Sequence, residues 1–377
     1  MKIGVLRELK PENRVALIPE GVQALKSLHC DILIEKNAGA AAYFANNEYQ
    51  DAGGLIISRQ EILTGSELLL MINPFIEKEL ESIDPSTVLV GFFNTYQNIP
   101  FVKKLQQKGI TSFSMELVPR TTRAQAMDVL SSMSTVAGYK AVLEAASRLT
   151  KFFPMFMTAA GTIKPARVLI LGAGVAGLQA LAVARKLGAV VEVFDVRSAV
   201  KEEVLSLGGR FVEVEGAKED ASAGGYAVEQ TEEYREKQME LIHQHAVKSD
   251  VIIATAQIPG KKAPVLVKMA TINAMKRGSV IIDLAASSGG NCEYTMDGEI
   301  VVENGVTIVG KSDFPSDLPA DASRMYNNNM ISFIKLMITK EGEVNLDFND
   351  DIVKGTCLTH KGELVNERIL NIVKSEK

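Results

Sequence analysis

Short apolar runs recur along the chain, separated by stretches in which apolar residues return every three or four positions. Lys2–Leu6, Asp31–Glu35, Leu68–Ile72 and Thr87–Gly91 are too short for typical helices and rich in branched residues, the pattern of buried strands. Between them, Pro19–Leu28 and Phe101–Gln107 carry helical spacing, the second closed by Gly109. The alternation resumes further on. Strands are predicted at Val168–Leu171, Val190–Phe194, Arg210–Val214, Asp250–Ala254, Val280–Leu284 and Val306–Val309, with helices at Ala199–Leu207 and Thr231–Val247. Two longer helices are expected at Ser134–Leu149 and Ala320–Met337, the latter with Tyr326, Met330, Phe333 and Leu336/Met337 on a core-facing stripe. The tail, Glu341–Lys377, reads as a strand-like piece and a terminal helix. Alternating strands and helices imply parallel sheets with right-handed crossovers.

The densest signal is Arg167–Asp195. Its first strand ends in Gly172-Ala173-Gly174-Val175-Ala176-Gly177 and gives way to a helical pattern closed by Gly188. A second strand then delivers Asp195, followed by Val196 and Arg197. Gly172 permits the tight turn, Gly174 lets a pyrophosphate approach the backbone, and Gly177 lets the helix lie close to the strand. The helix N-terminus offers unpaired N–H groups and a positive dipole end. Asp195 stands where a carboxylate takes ribose hydroxyls and repels a 2′-phosphate, which favours NAD(H). The first 130 residues lack such a fingerprint. The resulting expectation is an α/β protein of two Rossmann-like domains with parallel sheets, joined by long interdomain helices. Residues 1–133 plus 322–377 form one domain, and 134–321 the nucleotide-binding one.

Between the two halves lies PRTTRAQAMDVLSS, residues 119–132. Pro119 is a good first residue for a helix, and Gln125, Asp128 and Ser131, three apart, would then share one helical face behind Arg120. Such a stripe serves either as caps and ion pairs at a domain joint or as hydrogen-bonding groups that orient a polar ring such as nicotinamide. Gly216–Gln230 is small and polar, with Gly224-Gly225 before Tyr226, the composition of a mobile lid. Gln257 and Pro259 lie in the turn after the Asp250–Ala254 strand, and Gly289-Gly290-Asn291 in the turn after the next, at strand ends where open α/β sheets bind ligands.

Composition narrows the classes. A net charge of −5 without basic runs argues against a nucleic-acid surface. Cys30, Cys292 and Cys357 lack CxxC spacing, so neither a disulfide framework nor a metal site is indicated, and a reducing cytoplasm fits. The N-terminal MKIGVLRELK reads as strand and turn without the apolar core of a signal peptide. No apolar run reaches the ~18 residues of a membrane span, so direct insertion is not expected.

Taken together, Pro119–Ser132, Ala137-Gly-Tyr139, Gly172–Gly177, Asp195-Val-Arg197, Gly224-Gly225-Tyr226, Thr255–Gly260 and Asp283…Gly289-Gly290-Asn291 give the chain a resemblance over nearly its whole length. It resembles the NAD(H)-binding alpha component, in its split form without a membrane segment, of the Re/Si-specific, proton-translocating NAD(P) transhydrogenases. More distantly it resembles alanine dehydrogenase. The resemblance implies Arg120, Gln125, Asp128 and Ser131 around the nicotinamide and its ribose, Asp195 at the adenosine ribose, and Tyr226 on a mobile loop. It also implies a homodimer, an NADP(H)-binding beta subunit, a membrane-spanning subunit, and a place on the inner face of the cell membrane held through those partners. Alanine dehydrogenases carry a lysine and a histidine for the substrate. The corresponding places here are Ile72 and about Asn94, neither of them ionisable. Oxidising an amine requires a proton acceptor, whereas passing hydride between two nicotinamides does not. Hydride transfer from NADH to NADP+ is therefore the expected reaction, with an amino-acid dehydrogenase as the alternative.

Overall fold

The computed structural model describes residues 1–214, 231–258 and 260–375. The chain divides into two compact units, Met1–Met133 with Pro315–Lys377, and Ser134–Phe314. The return to the first unit comes at Pro315, earlier than the 322 expected. The reason is local: Phe314 is buried in the second unit's core, while the Ser316 hydroxyl already accepts the Asn13 N–H of the first unit at 2.9 Å.

In the first unit the strands are β1 (Lys2–Val5), β2 (Asp31–Glu35), β3 (Leu55–Ile57), β4 (Leu68–Leu70), β5 (Val88–Gly91) and β6 (Thr111–Ser114). They lie side by side in the order β3-β2-β1-β4-β5-β6, all parallel. The second unit has the small hairpin β7 (Phe156–Thr158) and β8 (Gly161–Ile163). Its main strands are β9 (Arg167–Leu171), β10 (Val190–Phe194), β11 (Arg210–Val212), β12 (Val251–Ala254), β13 (Val280–Asp283), β14 (Ile300–Glu303) and β15 (Val306–Gly310). These run β11-β10-β9-β12-β13-β15-β14, with only the edge strand β14 antiparallel. Each sheet thus reverses its winding once, between β1 and β4 and between β9 and β12, the switch points of doubly wound folds. The tail returns β16 (Cys357–His360) and β17 (Glu363–Leu364) as antiparallel strands beside β6.

The unbroken apolar runs follow from burial on both faces. In β9, Val168 and Ile170 enter one core layer and Leu169 and Leu171 the other. In the first unit, Leu68 and Leu70 of β4 face one layer and Leu69 the opposite one. The return helix Pro319–Ile334 buries Tyr326, Met330 and Phe333, and Met337 just beyond its end is buried too, as its stripe predicts.

Several segments depart from the sequence reading, the unpredicted strands β3 and β6 among them. Pro119 does not begin a helix. Thr122–Met127 is a short 3-10 segment, and the long helix, Val129–Arg148, starts ahead of the Ser134 expected, directly after Asp128, whose φ of −76° and ψ of 88° separate the two. The stretch ahead of β9, for which the sequence pattern names no strand, forms the β7–β8 hairpin, with Ala159-Ala160 as its turn and Gly161 at φ 117°. Ile300–Glu303 is an edge strand that the sequence reading passes over, although Ile300-Val301-Val302 before Asn304-Gly305 is a hairpin pattern; its residues alternate between exposed and half-buried.

Candidate functional site

In the second unit, the predicted nucleotide residues gather at the C-terminal ends of β10, β9 and β12, on the switch point. The glycines act as their positions require. Gly172 takes φ 105°, and a Cβ there would meet Thr255 Oγ1 at 2.6 Å. Thr255 Oγ1 in turn donates to the Gly172 carbonyl at 3.1 Å. Gly174 is the N-cap of the helix Val175–Lys186, and a Cβ there would point into open space. That clear approach, with Val175 and Ala176 opening the helix, fits a pyrophosphate resting on backbone N–H groups. A Cβ on Gly177 would strike the Gly172 carbonyl oxygen, so glycine is obligatory where helix and turn touch. One on Gly138 would strike the Ala176 carbonyl, so a second helix also approaches closely.

Asp195 sits at the end of β10 and is 8% exposed. Its Oδ2 accepts the Ala173 N–H at 2.7 Å, which ties the glycine turn to the neighbouring strand. Arg197 supplies the other donors: its backbone N–H at 2.8 Å, Nε at 2.9 Å and a terminal nitrogen at 2.7 Å. Four donors fill the roughly four lone-pair positions of a carboxylate. This modifies the reading of Asp195 as a carboxylate open to a ribose. Hydroxyls reach it only by displacing part of the Arg197 fork. Binding to Asp195 holds the Arg197 guanidinium pKa above its ordinary value.

The turn after β12 is set from behind. Asn291, wholly buried, accepts the Ala256 N–H at 3.0 Å and donates to the Ala256 and Pro264 carbonyls, each at 2.8 Å. Asn291 is itself held through its N–H by Asp283, which also accepts from Ala285, Cys292 and Thr295. Burial raises the Asp283 carboxyl above its usual range, against these donors. Gln257 projects from the turn so fixed and is exposed. Pro259, Gly225 and Tyr226, with the rest of Gly216–Gln230, lie outside the described residues.

In the first unit, Arg120 and Gln125 are exposed on the segment leading to the long helix, while Ala124 and Met127 pack into the core beneath. Asp128 is the cap of that helix. Its Oδ1 accepts the Ser131 N–H at 2.9 Å and its Oδ2 the Ser131 hydroxyl at 2.6 Å. The Gln125–Asp128–Ser131 set is therefore not one helical face. It is a 3-10 turn, a cap and the helix's first turn, with Ser131 donating to Asp128. Val196 follows Asp195 and is half-buried.

Sequence reasoning missed a charged cluster at the first unit's own switch point. Glu8, just past β1, accepts the backbone N–H groups of Ile72 at 2.6 Å and Asn73 at 3.1 Å, just past β4. Burial raises its carboxyl to about 7. Burial pushes Glu12 the same way, but the Arg14 fork, at 2.6 and 2.8 Å, outweighs it and lowers Glu12 to about 2. Tyr326 donates to the Met71 carbonyl at 2.9 Å beside them. An acid, an acid and an arginine within seven residues of a segment that ends in the buried Val15–Ile18 was the available signal. Ile72 is buried and Asn94 is exposed in the left-handed region at φ 52°.

The family model described as alanine dehydrogenase/PNT, N-terminal domain, matches residues 4–137, and that for the C-terminal domain matches residues 141–367. The chain is 44% identical over 376 residues to the first portion of the NAD(P) transhydrogenase alpha subunit of Rhodospirillum rubrum, covering 97% of this chain and 98% of that one. It is 28% identical to an alanine dehydrogenase of Staphylococcus haemolyticus, over 98% of this chain and 95% of that one. The crystal structure of transhydrogenase from Sinorhizobium meliloti matches with a TM-score of 0.89 at 39% identity, covering 97% of this chain and 100% of that one.

Two outcomes follow from this geometry. Gly174→Ala should leave the thermal midpoint nearly unchanged and weaken NADH binding at least ~10-fold, because its Cβ enters only the space left for phosphate, whereas Gly177→Ala should lower the midpoint by several degrees. Calorimetry and NADH fluorescence titration check both; loss of stability in Gly174→Ala would contradict the open approach. The second outcome concerns pH. A carboxyl raised from 4.5 to about 7 contributes stability that is whole below 4.5 and lost as pH rises through 7. Glu8→Gln should therefore flatten the decline in urea stability between pH 5 and 8. Parallel profiles for the two proteins over that window would refute the shift. Glu12, lowered to about 2, contributes stability present above 4.5 and lost toward pH 2 in both proteins.

Proposed function

The chain belongs to the alanine dehydrogenase/PNT family, and on that premise we propose that it is the NAD(H)-binding component of a proton-translocating transhydrogenase. It passes hydride directly between NADH and NADP+ held on a beta subunit. A separate membrane subunit couples the transfer to proton movement. Among the described residues no helix is long and apolar enough to cross a membrane, so its place on the inner face of the cell membrane comes from those partners, with two copies of the chain as a homodimer.

The observation that carries the reading is the pair of groups at positions 72 and 94. A buried isoleucine and an exposed asparagine offer no lysine or histidine to hold an amino acid and take its proton. Glu8 is the ionisable group beside Ile72, and both its oxygens are engaged by backbone N–H groups. What the chain retains is suited to position rather than to acid–base work. Gly174 and the N-terminus of the helix Val175–Lys186 receive a pyrophosphate. Asp195, with Val196 and Arg197, addresses the adenosine ribose. A dinucleotide bound there supplies the hydride from its own ring. Arg120, Gln125, Asp128 and Ser131 orient the nicotinamide end and its ribose.

Reconstitution tests the proposal. The purified chain is mixed with the NADP(H)-binding component of a transhydrogenase, and hydride transfer from NADH to an NADP+ analogue of distinct absorbance is followed, with NAD+ and L-alanine in parallel. Transfer should require both components. NADH formed from alanine instead would make the chain a dehydrogenase. Arg120→Ala and Asp128→Asn should each slow transfer far more than they weaken NADH binding, and equal losses in the two would overturn the positioning roles.

A further inference from the structure

The turn that carries Arg120, Gln125 and Asp128 is poorly equipped to hold its own shape. Its regular stretch is the 3-10 segment Thr122–Met127, a conformation with weak internal hydrogen bonds. Its flanks, Thr121 at ψ 158° and Asp128 at ψ 88°, are extended or irregular. The shape is imposed from elsewhere, by the returning segment 315–377.

Three tethers run from that segment to the turn. Asn329, on the helix Pro319–Ile334, donates its side-chain amide to the Ala126 carbonyl at 2.8 Å. Asp350 takes a fork from Arg123, with both bonds at 2.7 Å. Gly355 leaves room for Pro119, whose ring carbon would lie 2.6 Å from a Cβ at that position. Of the three, the Asn329 bond falls between Gln125 and Asp128.

Asn329 has a second property that separates purpose from stability. It is 6% exposed, and its side-chain oxygen, also buried, has no hydrogen-bond partner. A buried amide oxygen without a partner is costly, and a leucine of similar size would avoid the cost. What an amide offers there and leucine does not is the N–H on Ala126.

We propose that Asn329 is a positioning residue for hydride transfer: it fixes the Ala126 carbonyl and thereby the turn that presents Gln125 and Asp128. The inference rests on the reading of that turn as the nicotinamide-orienting element. Asp350 acts in the same sense through Arg123, while its carboxylate also caps the helix Asp351–Thr356 by accepting from Ile352 and Val353.

The test uses the full chain as Asn329→Leu, Asn329→Asp and Asp350→Asn. Asparagine keeps the cap at position 350 but loses the charge of the fork. Each variant is measured for transfer rate in the reconstituted reaction, NADH dissociation constant and thermal midpoint. Asn329→Leu should slow transfer ~10- to 100-fold, the scale of a small misplacement of a positioning group. Its NADH dissociation constant should stay within about twofold, and its thermal midpoint should be unchanged or higher. Asn329→Asp, which keeps the shape and removes the donor, should show a comparable rate loss, and Asp350→Asn a smaller one. A wild-type rate in Asn329→Leu would overturn the proposal, as would a fall in rate accompanied by a lower midpoint. Amide exchange across residues 122–128 of the free chain reads the tether without any activity. It should quicken ~10-fold in Asn329→Leu, since removing one bond from a marginal turn opens it. Faster exchange in a chain whose wild type transfers no hydride would sink the functional reading and leave the tether standing; unchanged exchange would sink the tether.

Discussion

The second unit depends on one close approach, the contact of Gly177 with the Gly172 carbonyl. A side chain at 177 would lift the helix Val175–Lys186 away from the end of β9. With glycine there, the helix N-terminus aims at the reversal between β9 and β12, and its first N–H groups, without intrahelical partners, face that reversal. Asp195 secures the same turn from the neighbouring strand through the Ala173 N–H. One carboxylate therefore ties the glycine turn to the strand beside it. Gly138 extends the principle by admitting the helix Val129–Arg148 against Ala176.

The first unit repeats the strand order and uses its reversal differently. Where the second unit leaves backbone N–H groups open beneath a glycine turn, the first closes the corresponding position with its own acid. Glu8 occupies the N–H groups of Ile72 and Asn73, and Glu12 occupies Arg14. A sheet end that satisfies its own donors has nothing to offer a phosphate. The two units thus differ at their reversals although their sheets are wound alike, which is the general lesson that a site and not a fold decides the chemistry.

The polar turn of the first unit shows how such a site is supported. Residues that face outward from a 3-10 segment are only as well placed as the segment itself. Here the support comes from residues some two hundred positions away in the chain, on the returning helix and at the start of the helix after it. The return of the tail to the first sheet, as β16 and β17, belongs to the same arrangement.

The sequence by itself determined the apolar strands at the centre of each sheet, the glycine turn and the acid after it. These are local facts: a strand buried on both faces must be apolar without a break, and a backbone that must pass within contact distance of another must lack a Cβ. It also determined that positions 72 and 94 carry no proton acceptor. Tertiary structure alone decided that Glu8, Asn291, Asn329 and Asp350 stand behind the backbone of the turns they hold. Each of these is a hydrogen bond or ion pair whose partner is chosen by the folded chain. A polar residue announces that it needs a partner, but its spacing does not say which one, because distance along the sequence carries no information about who meets whom across a sheet or between helices.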